Sequence, residues 1–301
     1  MADETDHADR EDPDENGTDP LADLVTLLTL EQLEVDLYRG RRSRTSLQRV
    51  FGGQVAGQAL VAAGSTVDPA RGVHSLHAYF LRPGDPSVPI VYAVDRTRDG
   101  RSFSTRRVVA TQRGSTIFTL TASFTLAAEG LEHQDDMPVV PSPESLPSTR
   151  ERMAPYVGER PAWWQLPRPI DLRYVGDPPR VALEREEPTP PRSQVWFRAA
   201  GSLPDDPLLH VCVLTYASDM SLLDSAILPH RIAYGYSSMS MASLDHAVWF
   251  HRPFRADEWL LYDQESPTAS AARGLGRGRI FSADGRLVCT VVQEGLIRVL
   301  D

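Results

Sequence analysis

Three polar side chains sit where any fold has to account for them. Gln293 lies in VVQEG, an apolar strand pattern with Val291, Val292 and Leu296 around it, and an amide buried there without a partner costs about 1–3 kcal/mol. Asp219 follows Ser218 in YASDMSLL, and Ser243 precedes the alternating run LDHAVWF. Singly, Asp219 reads as an acid in the first turn of a helix and Ser243 as a turn residue ahead of a strand. As chemistry, a carboxylate offers a general base, while a hydroxyl and an amide offer hydrogen bonds to position something else. Their spacing alone does not join them.

Other constellations fall short. His74 and His77 are three apart in a strand pattern and point to opposite faces, which makes a poor metal pair. Asp245 and His246 are strand neighbours and diverge in the same way, so a local dyad is not expected. Gly235-Tyr236-Ser237-Ser238-Met239 fails the nucleophile-elbow pattern at its last position. Gly274, Gly276 and Gly278 lack dinucleotide-loop spacing and predict a strand that needs small residues on one face. Cys212 and Cys289 are the only cysteines. They read as buried small hydrophobes in a reducing compartment, too few for a disulfide framework or a cysteine metal site.

The chain of 301 residues has room for two domains. With 41% hydrophobic and 24% charged residues it has the composition of a soluble globular protein. The longest apolar runs, Leu21 to Leu30 and Leu208 to Leu214, are too short to span a membrane, and the acidic N-terminus does not read as a secretory signal. Cytoplasm is the expected location, with neither membrane nor nucleic acid as partner. Residues 1–20 carry nine acids against Arg10, so they hold −8 of the formal −10 and the rest of the chain only −2. Lysine is absent; every basic residue apart from histidine is arginine, which reads as composition more than as a phosphate site.

The elements that must position these residues follow from periodicity. Residues 1–20 are expected to be a disordered acidic tail. Leu21 to Leu30 predicts a helix, and Leu33 to Arg39 a half-buried strand with Leu33, Val35 and Leu37 on one face. Phe51 to Val67, FGGQVAGQALVAAGSTV, predicts a helix whose small-residue face lets a neighbour approach closely. Val73 to Leu81, Ile90 to Val94, Ser102 to Thr111 and Thr116 to Phe124 predict four antiparallel strands separated by turn residues. From Leu131 to Pro191, which holds thirteen of the 24 prolines, the chain predicts a long connection interrupted by a strand at Ile170 to Val175.

The pattern then repeats. Gln194 to Ala199 predicts a strand and Tyr216 to Ile227 a helix. Four more strands are expected at Ser243 to His251, Trp259 to Gln264, Ala271 to Phe281 and Arg286 to Leu296. Arg82-Pro83 finds Arg252-Pro253, Phe80 finds Phe250 and Tyr92 finds Tyr262, all 170 residues on; past Gly114 and Gly285 the spacing slips by one, so Ile117 matches Val288. This is an internal duplication of a helix-plus-sheet unit. It predicts an α+β fold of two tandem repeats, at 21–130 and 168–301, with a proline-rich linker at 131–167. In the first repeat Ala122 stands at the place of Gln293, and Gln54 near that of Asp219.

Several unlinked motifs in this order resemble the acyl-CoA thioesterase II family. They are LYRG at Leu37 to Gly40, VFGGQVAGQAL at Val50 to Leu60, HSLHAYFLRPGD at His74 to Asp85 and RDGRSFSTRRV at Arg98 to Val108, followed by YASDMSLL at Tyr216 to Leu223, DHAVWFHRPF at Asp245 to Phe254 and VVQEG at Val291 to Gly295. The resemblance covers roughly Leu21 to Leu300. It implies a double hotdog, in which each sheet wraps a helix and the two sheets join into one continuous sheet. It also implies hydrolysis of acyl-CoA to free fatty acid and CoA without metal or cofactor, and association into a homo-oligomer.

The resemblance places the catalytic residues at Asp219, Ser243 and Gln293, which together hold a water; threonine is the more usual residue at the place of Ser243. The chemistry is reasonable in itself. The departing thiolate comes from a thiol of pKa about 8.5, so a water oriented and partly deprotonated by a carboxylate suffices. Backbone N–H groups at the start of the Tyr216 helix are expected to meet charge on the thioester oxygen. Arg98, Arg101, Arg106, Arg107, Arg273, Arg277 and Arg279 could include contacts to CoA phosphates, and a solvated strand face accounts for them equally well. Two alternatives remain open at this point: a hotdog hydratase or dehydratase, and a non-catalytic acyl-CoA-binding module.

Overall fold

The computed structural model describes residues 19–42, 49–156, 167–182, 189–230 and 239–300. The acidic tail up to residue 18, and residues 235–238 of the failed nucleophile elbow, lie outside the described residues.

Helix α1 (Pro20–Leu28) begins on a cap, with the Asp19 side chain accepting the Leu21 N–H and Pro20 in the first turn, and buries Leu21, Leu24 and Leu28. The single strand expected over Leu33 to Arg39 is instead a hairpin, β1 (Glu31–Glu34) and β2 (Leu37–Gly40). Asp36 makes the turn possible by taking a left-handed φ of 59°, which aspartate tolerates. The apparent inward face is therefore broken. Val35 is 69% exposed at the tip, whereas Tyr38 is buried.

Helix α2 (Gly52–Gly64) forms where its small-residue pattern predicts, and is buried along nearly its whole length. Strands β3 (Arg71–Phe80), β4 (Ile90–Asp99), β5 (Phe103–Gln112) and β6 (Ser115–Leu126) wrap it, their inward residues alternating along each strand. Arg113 and Gly114, both at positive φ, close the β5–β6 hairpin. The connection carries α3 (Thr149–Met153). The second repeat begins with β7 (Ile170–Tyr174), α4 (Pro179–Ala182) and β8 (Arg192–Ala199).

The second helix is not where expected. It is α5 (Pro207–Ser218), followed after a turn by the short α6 (Asp224–Ile227), so Tyr216 to Ile227 is not one helix. The start signal is Asp206-Pro207. The Asp206 side chain accepts the Leu208 N–H, Pro207 occupies the first turn, and the apolar run Leu208 to Leu214 is the body of the helix. Asp219 is the C-cap.

Strands β9 (Met239–Ser243), β10 (Asp245–Phe250), β11 (Leu260–Ser270), β12 (Arg273–Ser282) and β13 (Leu287–Val299) complete the second sheet. The strand expected from Ser243 onward is thus two, with Ser243 closing β9. One continuous sheet results, in the order β1-β2-β4-β5-β6-β3-β10-β13-β12-β11-β8-β7, with β9 also paired to β13. The halves join at the antiparallel β3–β10 pair, from Asp245↔Tyr79 to Trp249↔Ser75.

The two main helices lie antiparallel at close range. A β-carbon on Gly53 would collide with the Tyr216 carbonyl, on Gly57 it would stand 3.3 Å from the Cys212 carbonyl, and on Gly64 2.6 Å from Leu208. The start of α2 therefore meets the end of α5. On the outer face of the second sheet, the connection packs Met137, Val140 and Leu146 over Trp196, Trp259, Leu261 and Phe281, and the Trp196 indole donates to the Pro141 carbonyl at 3.0 Å.

Candidate active site

The three residues named by the resemblance come together. Gln293 Nε2 donates to Asp219 Oδ1 at 2.5 Å and to Ser243 Oγ at 2.9 Å, and Ser243 Oγ donates to the same carboxylate oxygen at 3.4 Å. Each side chain is placed by a separate element. Asp219 terminates α5, Ser243 ends β9 opposite Gly295 of β13, and Gln293 faces inward from β13, fully buried. The cost of burying an amide in an apolar strand is thus offset by two hydrogen bonds, one of them to a charge.

Asp219 keeps a little accessible surface, though protein encloses it on most sides. Burial pushes its carboxyl up to about 6, against the opposing pull of hydrogen bonds from the Gln293 side chain, the Gly53 backbone N–H and the Ser243 hydroxyl. At neutral pH the carboxylate is ionised and basic enough to take a proton from water.

The helix start facing this carboxylate belongs to α2, in the first repeat. A β-carbon on Gly52 would lie 2.7 Å from Asp219 Oδ2, so glycine is what lets the α2 terminus and its positive dipole end reach the site. This corrects the expectation that the Tyr216 helix would present its start there, because Asp219 stands at the opposite end of that helix. The same shift corrects Gln54 as the counterpart of Asp219. Helix for helix, the C-cap Ser65 of α2 corresponds to the C-cap Asp219 of α5.

After Asp219 the chain turns against β12, where Gly274 and Gly276 give it room, while Gly278 makes way for the Tyr262 ring. A β-carbon on Gly276 would stand 2.9 Å from the Leu222 side chain, and one on Gly274 2.7 Å from Ala226. These glycines do serve a close approach, as their strand pattern predicts.

Sequence reasoning missed two contributors. Gly53 acts through its backbone, which no side-chain motif advertises. His246 is fully buried, with Nε2 2.9 Å from Ser218 Oγ, and burial pushes its pKa down to about 4, so the ring is neutral. It is indeed no partner of Asp245, which points the other way and accepts the Glu294 N–H at 2.6 Å. The inward alternation of His246 with Val248 was the available signal.

The other candidates have ordinary engagements. His74 pairs with Ser123 at 2.8 Å and His77 packs edge-on against Trp249. Arg106 is 2% exposed and bonds to the Thr66 hydroxyl and carbonyl, the Arg98 and Thr105 carbonyls and Asp99. Arg273 pairs with Glu294, Arg277 with Glu265, and Arg279 with Asp263 and Asp135. Among the described residues no helix is long and apolar enough to cross a membrane.

Comparison with known proteins identifies the family. The profile of a family described as acyl-CoA thioesterase matches residues 184–296, and that of the acyl-CoA thioesterase N-terminal domain matches residues 41–125. Acyl-coenzyme A thioesterase 8 of Homo sapiens is 43% identical, over 93% of this chain and 92% of its own. The crystal structure of acyl-CoA thioesterase II TesB2 from Mycobacterium marinum is 48% identical, with a TM-score of 0.76 over 92% of this chain and 99% of that one. A hot dog fold protein from Alicyclobacillus acidocaldarius, only 19% identical, superposes with a TM-score of 0.75 over 92% of this chain and 98% of its own, and speaks for the fold alone. With both repeats matched and a relative 43% identical over 93% of this sequence, the chain belongs to the acyl-CoA thioesterase family.

Proposed function

We propose that the chain hydrolyses acyl-CoA to free fatty acid and CoA by attack of a water that Asp219, Ser243 and Gln293 hold. Asp219 takes one proton as the water oxygen bonds to the thioester carbon, giving a tetrahedral oxyanion. The positive end of α2 offsets the charge on that oxygen. Collapse breaks the carbon–sulfur bond, and the thiolate leaves with the electron pair and takes the proton back from Asp219. No acyl-enzyme forms, since neither Ser243 nor Asp219 needs to act as nucleophile.

The observation that carries this reading is the Asp219 carboxylate, raised to about 6 and bonded to both Gln293 and Ser243. A hydratase or dehydratase would use a histidine with an acid against the acyl chain. Here His246 is bonded to Ser218 and adjoins Gln293, with no hydrogen bond to Asp219, which favours hydrolysis. We also propose that the protein is a cytoplasmic homo-oligomer; its mass in solution checks the assembly. Incubation with acyl-CoAs of graded chain length and a thiol-reactive dye tests the activity. Release of CoA is expected, and no release at any chain length would overturn the assignment.

A further inference from the structure

His246 lies one step past the Ala247↔Val292 pair of the β10–β13 ladder, directly across from Gln293, and both side chains point inward and are fully buried. Two buried atoms of this region have no hydrogen-bond partner of ordinary geometry: Nδ1 of His246 and Oε1 of Gln293. Yet the Gln293 side chain acts on the His246 ring as a hydrogen-bonding group. The two unpaired atoms are thus complementary across the ladder, a ring nitrogen that can carry a proton and an amide oxygen that can accept it.

Which proton closes it follows from counting donors. Ser218 Oγ has one proton and two neighbours, His246 Nε2 at 2.9 Å and the Thr215 carbonyl at 3.0 Å. If Ser218 donates to Thr215, the neutral ring must carry its proton on Nε2, and Nδ1 and Oε1 become two buried acceptors pressed together. If Ser218 donates to Nε2, the ring proton sits on Nδ1 and points at Oε1, leaving only one helix-end carbonyl short of that donor. An under-satisfied carbonyl is tolerated far more readily than two facing acceptors.

We propose that His246, in its Nδ1–H form, is a positioning residue for the reaction. Its ring proton fixes Gln293 Oε1, so that the opposite end of that amide presents Nε2–H to Asp219 and Ser243. The bonds then run in a closed circuit: Ser218 donates to His246, His246 to Gln293, and Gln293 to Asp219, the residue that follows Ser218 in the chain. The ring itself exchanges no proton with water or substrate. This rests on Gln293 belonging to the catalytic set.

The test uses the full chain and saturating acyl-CoA. His246→Phe is expected to lower kcat about 10- to 100-fold, the size of a loss from misplacement, with KM held within about twofold. His246→Asn puts an amide nitrogen at the place of Nδ1 and should recover most of that loss. In a Gln293→Ala background the His246→Phe loss should shrink to less than about threefold, because the residue through which it acts is gone. Equal losses in both backgrounds, or an Asn variant that folds and is no better than Phe, would overturn the proposal.

Should His246→Phe fail to fold, ¹⁵N-histidine spectra of the wild-type protein, with His246→Gln to assign the resonance, read the tautomer directly. A protonated Nδ1 is expected, and a protonated Nε2 would overturn the proposal. Absence of CoA release by the wild type would instead defeat the thioesterase reading, and the tautomer result would stand apart from it.

Discussion

At the register position where β13 carries Gln293 opposite Gly276, the first repeat carries Ala122 opposite Arg106. Ser243 pairs with Gly295, and at the matching place Val73 pairs with Phe124. The C-cap Asp219 has Ser65 as its counterpart. The two halves thus share a scaffold and differ at every polar position that hydrolysis would use. Where the second half has a glycine against which Leu222 packs, the first has a guanidinium buried to 2% exposure and bonded to Thr66, Arg98, Thr105 and Asp99. Duplication conserves the strand register, and one copy fills this position with a hydrogen-bonded guanidinium while the other gives it to the chain that follows Asp219.

The contrast breaks most sharply at Asp219. Asp219→Asn is expected to lower kcat by about 10²–10⁴, the contribution of a general base, measured by CoA release, while substitution of Ser65, its first-repeat counterpart, should leave kcat near wild type. The same variant should be more stable above neutral pH. A carboxyl raised from 3.8 to about 6 on folding holds its proton more tightly in the folded state. Its contribution is therefore fully present below 3.8 and lost as pH rises through about 6. The shift corresponds to at most about 3 kcal/mol, less the part that solvent at its open edge screens. A higher melting temperature of the variant at pH 8, converging with wild type near pH 4, is the expected result.

On the other side of the comparison, Arg106→Met should destabilise the fold by about 2–4 kcal/mol, since several carbonyls and a hydroxyl lose their donor. Turnover per folded molecule should stay unchanged; CoA release measured well below the midpoint of denaturant unfolding, where all molecules are folded, separates the two. Next in size, wild-type kcat is expected to fall below an apparent pKa near 6 with unit slope, so that pH 5 gives about a tenfold loss. Smallest of all, Ser243→Thr should change kcat by less than about twofold, because the added methyl restricts the rotamer without removing the hydroxyl.

Much of this asymmetry was legible in the sequence. The spacing of 170 exposed the duplication, small residues announced α2, and the motif positions of Asp219, Ser243 and Gln293 are the ones that meet. What escaped had physical reasons. Helix α5 is buried between α2 and the sheet, with Cys212, Val213, Leu214 and Thr215 successively inaccessible, so it lacks the polar face that makes a helix visible by periodicity. The amphipathic signal slid toward Tyr216, and Asp219 changed from a helix start to a helix end. The β1–β2 hairpin was hidden because its turn depends on one aspartate in a left-handed conformation. His246 needed the β10–β13 register, which no local pattern contains.

The seam between α2 and α5 has one more consequence. The backbone N–H of Gly53 that steadies Asp219 comes from a repeat more than 160 residues away, so the carboxylate's hydrogen bonding is completed by the other half. Two separate single-repeat chains would have to find each other at a rate set by their concentration, and the site would empty on dilution. Joined through the connection and the β3–β10 pair, the halves meet at an effective concentration fixed by the tether. The working site is thereby present in every molecule, however few there are.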